Sequence, residues 1–191
     1  MLPVVVAVIA AGGCRRDVRL AGRTIPHAAV HAVTLYGVTL DESASPQQVA
    51  YVALLAVRED FLAGDEPERE AALAKQFDLC AADVIASRNR TSTDRDEFIY
   101  NVVYHWTPTV SHYVHDFPAD WEAAKARLKL RAGSPTKNAN DDVEEAVVLM
   151  EVDDPSRDVN ARVVLAVYLA KDGGMWRVLH LGFEPGRRSI P

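Results

Sequence analysis

At 191 residues the chain has the length of one domain of ordinary size, and with 49% of its residues hydrophobic and 25% charged it can bury a substantial core. That balance excludes a disordered or collagen-like chain. A formal charge of -6 argues against a nucleic-acid binder, which needs a concentrated basic surface to displace counterions from phosphates.

From Leu2 to Ala11 the chain is almost wholly aliphatic, followed by Gly12, Gly13, Cys14 and the charged Arg15-Arg16-Asp17. Such a run is too short to cross about 30 Å of hydrocarbon, but it fits the apolar core of a secretory signal. Ala11-Gly12-Gly13-Cys14 resembles the lipobox of bacterial lipoproteins, although Ala stands at the first box position and no Lys or Arg precedes the apolar run. The resemblance implies cleavage before Cys14, diacylglycerol on its sulfur and a new acylated N-terminus. The expected organisation is a signal peptide over 1–13, a tether over 14–29 and a single α+β domain over 30–191. The implied place is the bacterial cell envelope, and with two membranes the outer one, facing the periplasm. The same VVVAVIAAGG run with Arg15-Arg16 also resembles the opening strand and glycine turn of sugar nucleotidyltransferases. A member of that family would continue into a βαβ crossover with acidic metal ligands, whereas the following residues read chiefly as helix.

Val30 to Leu40 is rich in β-branched residues and interrupted by Gly37, as in a strand carrying a bulge. Ser45-Pro46-Gln47-Gln48 opens a helix: serine as cap, proline at the first position and glutamine closing a capping box. Val49, Val52, Ala53, Ala56, Val57 and Phe61 follow at helical spacing, and Ala63-Gly64-Asp65 ends the run. Pro67 begins a second helix whose stripe Leu73, Phe77, Cys80 and Val84 places Cys80 in the core as a small hydrophobe. After Arg88-Asn89-Arg90, Asp94 and Glu97 open a helix through Trp106, which Pro108 is expected to break or kink. A short segment carries Val110, Tyr113 and Val114, and Pro118 starts an alanine-rich helix to Leu128. Ala132 to Asp142 reads as a polar loop. Three strands then follow, Val147 to Val152, Arg162 to Ala170 and Met175 to Phe183, the last two joined by the hairpin turn Lys171-Asp172-Gly173-Gly174.

Helices first and an antiparallel meander afterwards define an α+β domain. The opening helix with its approach, Ala44 to Asp65, and the closing VVLAVYLAKDGGMWRVLHLGFEP resemble the nuclear transport factor 2-like superfamily, a cystatin-like α+β fold. What the resemblance implies is a cone-shaped pocket between sheet and helices, used for binding, dimerisation or occasionally catalysis.

The richest functional stretch is Tyr100 to Asp116, with three tyrosines, a tryptophan and three histidines. His105, His112 and His115, with Asp116, offer nitrogen and oxygen ligands to a divalent ion, although no established ligand pattern is present. For acid–base chemistry the candidates are Asp83, Tyr104, His105 and His180. For anion clamping they are Arg88, Arg90 and Arg95. As ligand contacts the residues that stand out are Arg88, Tyr104, His105, His112 and His180. Nucleophile elbows, phosphate-binding glycine loops and dinucleotide fingerprints are missing after the leader, and no cofactor is implied. The expected partners are a membrane, through lipid on Cys14, and a protein or an apolar small ligand. A small envelope enzyme using the His/Tyr cluster is the alternative.

Overall fold

The computed structural model describes residues 32–89, 94–153 and 162–184. The expected signal peptide, Cys14, the tether and Arg90 lie outside the described residues. Where the sequence reads one bulged strand, two short ones form an antiparallel hairpin, β1 (Val33–Leu35) and β2 (Val38–Leu40). The reason is the turn between them. Tyr36 and Gly37 both take positive φ, 51° and 74°, the geometry that matches a two-residue hairpin to strand twist. A bulky residue in that region is strained. Tyr36 is held there by its hydroxyl, which donates to Glu59, and by the Lys75 ammonium 5.0 Å from its ring centre.

Helix α1 (Pro46–Leu62) starts as its sequence specifies, with Ser45 and Gln48 forming a reciprocal capping box. Every residue from Val49 to Val57 is buried, so the middle of α1 is enclosed on all sides, whereas Phe61, at helical spacing with the core positions, is exposed at the C-terminal end. Helix α2 (Glu66–Leu79) is capped by Asp65. The apolar rhythm that reads as one helix through Val84 is in fact broken at Cys80 and Ala81, and α3 (Ala82–Arg88) follows. Tertiary pairing wins over local preference there, since the Ala81 N–H donates to the Val178 carbonyl at 2.8 Å and Cys80 bridges Val178 in parallel sense. The first turn of α3 has no cap of its own. Instead the buried Asp172 carboxylate accepts from the Asp83 N–H at 3.0 Å, and burial holds that carboxyl above the usual carboxylate range. Cys80 is buried as its spacing indicates, and burial pushes its thiol up to about 12, leaving it protonated and unreactive.

Helix α4 (Arg95–Tyr104) is capped by Asp94, and α5 (Trp106–Val114) follows after a break at His105. The break expected of Pro108 falls one turn upstream of it, because a proline there has no N–H for the Tyr104 carbonyl and crowds it, and α4 ends at Tyr104. Pro108 itself sits in the first turn of α5, where its missing N–H would have no intrahelical partner anyway. Helix α6 (Trp121–Arg127) is capped by Asp120. Gln76 of α2 is wholly buried and donates to Asp60 of α1 at 3.0 Å and to Thr107 of α5 at 3.2 Å, while Thr107 donates to Asp60 at 2.5 Å. This network ties three helices through satisfied polar groups.

The remaining strands are β3 (Lys129–Leu130), β4 (Thr136–Lys137, within the stretch read as loop), β5 (Glu144–Asp153), β6 (Arg162–Asp172) and β7 (Met175–Phe183). They form one antiparallel sheet ordered β3-β5-β6-β7, with β4 also against β5. The β6–β7 turn is made by Gly173 and Gly174, at φ 56° and 87°. Alternation along the strands gives the sheet two apolar faces. Val148, Met150, Leu165, Val167 and Leu169 join α1 in the main core, while Val147, Leu149, Val164 and Ala166 form a second cluster. The fold is α+β, with a meander following the helices.

Candidate ligand-binding cleft

Strand β7 carries one residue more than its partner: Tyr168 pairs with His180 and Leu169 with Val178, leaving Leu179 as a bulge. A bulge re-aims the side chains beside it. The His180 ring stacks on Tyr168, with centroids 5.9 Å apart and planes 29° from parallel. Gly182 makes the space for this, because a Cβ there would lie 2.9 Å from His180 Nε2. On Tyr168 there is also the Arg131 guanidinium, 5.8 Å from its centroid, itself paired with Glu184.

These residues open onto a cleft of roughly 510 Å³ between α3, α4 and the sheet. Its apolar lining comes from Ile85, Phe98, Val102, Ala146, Val147, Leu169 and Leu179, and its polar groups are Arg88, Asn89, Glu145, Tyr168 and His180. That size and mixture are those of small-molecule sites. Arg88 is not a ready anion clamp. Its Nε donates to Asp141 at 2.8 Å and its Nη2 to Glu145, so the guanidinium fastens α3 to β5 and the loop before it. Arg95 likewise pairs with Asp83, which is exposed and outside the cleft lining.

His180 retains solvent contact, but partial burial of its ring lowers its pKa below the usual histidine value, so the ring is neutral at pH 7. A lowered histidine pKa means that the unfolded chain binds the proton more readily. The corresponding stability is full above the unfolded value, about 6.5, and is lost as pH falls through that value toward the folded one. Ring-proton NMR should place the His180 midpoint below 6.5, and His180→Phe should flatten part of the fall in thermal midpoint between pH 7 and pH 5. A His180 midpoint at or above 6.5 would contradict the packing described.

Of the five ligand contacts read from the sequence, the structure brings Arg88 and His180 together in this cleft and leaves the other three outside its lining. Tyr104 stacks on Tyr100, 5.8 Å between centroids, and Tyr100 on Phe77, 5.5 Å, in a ladder joining α4 to α2. His105 is exposed at the α4–α5 joint, its carbonyl accepting from Thr109 Oγ1 at 2.6 Å. The His112 ring meets Phe61 edge-on at 5.3 Å, and His115 Nδ1 lies 2.9 Å from the His112 carbonyl. Among the described residues no three His, Cys, Asp or Glu side chains are grouped so as to hold a metal ion, so His105, His112 and His115 do not form the ligand set their proximity in sequence implied. One turn of helix separates the backbones of His112 and His115, but His115 spends its Nδ1 on the helix end.

Sequence reasoning missed Phe98, Val102, Tyr168 and Leu179 as cleft residues. A usable signal was the Leu179-His180-Leu181-Gly182 run, where a glycine inside a strand marks a close approach. Compared with protein-family models, curated proteins and solved structures, the chain matches none of them.

Proposed function

We propose that the protein is a lipid-anchored envelope lipoprotein whose α+β domain binds an apolar small ligand in the cleft between α3, α4 and the sheet, without transforming it. The observation that carries this reading is the cleft itself: seven apolar residues line it, and Arg88, the strongest charge there, is already neutralised by two carboxylates. A ligand entering it gains most from apolar burial, with the Tyr168 hydroxyl and the neutral His180 ring available to orient one polar end. The likeness of Ala44 to Asp65 and of the closing hairpin to the nuclear transport factor 2-like superfamily supports the same use of a sheet-helix cavity. The lipobox-like Ala11-Gly12-Gly13-Cys14 supports the anchor.

The test uses N-phenyl-1-naphthylamine, a neutral fluorophore that brightens in apolar surroundings. Saturable enhancement is expected with the parent protein. Val102→Trp, which fills the cleft, should weaken it at least about tenfold, a loss of about 1.4 kcal/mol, and Phe98→Ala should change it as well. Cooperative melting of both variants with probe affinity unchanged would overturn the assignment.

A further inference from the structure

The lining of the cleft between α3, α4 and the sheet carries no net charge. Arg88 and Glu145 are its two charged residues, and they pair with each other. Arg88 Nε also donates to Asp141 at 2.8 Å, and the Asn138 amide donates to Glu145 at 3.2 Å. A carboxylate or ammonium entering the cleft would shed water without meeting an uncommitted counter-charge, which costs more than the contact returns.

Two other polar groups of the lining are open to a ligand. Among the described residues no hydrogen bond engages the Tyr168 hydroxyl or the His180 ring nitrogens; their contacts are the stack of one ring on the other and the Arg131 guanidinium beside Tyr168. Each can both give and accept a hydrogen bond, since a neutral imidazole has one N–H and one bare nitrogen, and a phenol has an O–H and lone pairs. A hydroxyl uses both directions at once, whereas a carboxylate only accepts and an ammonium only donates. The His180 ring is aimed by the backbone around it. Its Nε2 sits over Gly182, where a Cβ would come within 2.9 Å, and the bulge at Leu179 sets the direction in which β7 presents it.

We propose that the cleft selects an uncharged apolar molecule ending in a hydroxyl group, with its hydrocarbon against Ile85, Phe98 and Val102 and its hydroxyl at His180 and Tyr168, and that Gly182 is the positioning residue that keeps the His180 ring in place to read it. The proposal rests on the cleft being a ligand site and adds the chemistry of the ligand's polar end.

The test measures displacement of N-phenyl-1-naphthylamine from the full chain at pH 7 by four molecules sharing one ten-carbon chain: decan-1-ol, its methyl ether, decanoate and decylammonium. Decan-1-ol is expected to act at concentrations about tenfold or more below the other three, the scale of one hydrogen bond made or lost. The readout is the ratio of the ether's displacement constant to the alcohol's, in which any change in the fluorophore's own affinity cancels. His180→Phe should bring that ratio close to one. Gly182→Ala, at a residue whose φ is not positive, should lower it as well by pushing the ring aside. Displacement by decanoate or decylammonium at concentrations as low as the alcohol's overturns the proposal and leaves the ligand site standing, as does a His180→Phe ratio equal to the parent's. A parent protein that does not bind the fluorophore removes the ligand site itself, and this proposal with it.

Discussion

Trp106→Ala should lower the thermal midpoint by roughly 10 °C. Trp106 opens α5, has no exposed surface and heads the fully buried side chains by size. It belongs to the cluster in which α1, α5 and the inner sheet face meet. Truncating a buried tryptophan to alanine costs about 3–5 kcal/mol, the lost transfer energy plus that of an unfilled cavity. For a domain of this size each kcal/mol corresponds to about 2–4 °C. Trp106→Phe, which keeps a ring in the same space, should cost less than half as much. Calorimetry or far-UV circular dichroism measures both. An alanine variant melting within about 3 °C of the parent would show that this residue does not occupy the core position described.

Cys14→Ser should move the protein from the membrane fraction to the soluble one. The proposed attachment is chemical: a thioether-linked diacylglycerol and an N-acyl group hold a protein on a bilayer far more durably than a single acyl chain. Serine offers no sulfur to the acylating enzyme, so processing stops and the anchor is lost. Among the described residues no helix is long and apolar enough to cross a membrane. The control is Cys80→Ser, which removes the chain's other cysteine from a buried site and should leave fractionation untouched. Mass spectrometry of the purified N-terminus gives the independent readout, an acylated Cys14. Undiminished membrane association of the serine variant, or a mature chain that begins with Met1 and carries no fatty acid, would remove the anchor from the proposal.

Where local chemistry decides structure, the residues were readable without coordinates. The caps at Ser45 and Asp94, the glycine pair at 173–174 and the bounds of β7 follow from chemistry within a few residues, whereas α6 starts at Trp121 under an Asp120 cap and not at Pro118, where its proline pointed. The failures share a cause as well. Leu73, Phe77, Cys80 and Val84 keep a helical rhythm straight through a break that exists only because a strand far along the chain supplies an acceptor to Ala81. Tyr36 occupies a backbone conformation its type disfavours, and is kept there by Glu59 and Lys75, which no local pattern announces. The cleft was half legible. His180 and Arg88 stand out by chemistry, whereas Phe98, Val102 and Leu179 become neighbours only when α4 and β7 meet. Conversely, the dense His/Tyr stretch drew attention by crowding along the chain, and helical geometry then dispersed its rings around α4 and α5.

The joint at Cys80 and Val178 has a consequence for biogenesis. Its two halves lie nearly a hundred residues apart, and the later one sits in the last strand among the described residues. During synthesis the second and third helices can coil, but the kink between them has no carbonyl to accept it, and the sheet over the central helix stays incomplete, until the C-terminal hairpin closes. Final tertiary order therefore waits for nearly the whole polypeptide, as expected where distant pairing must overcome loop-closure entropy. A chain truncated before Met175 would thus lose the acceptor that sets the α2–α3 kink and the strand against which α5 packs, and not merely a sheet edge.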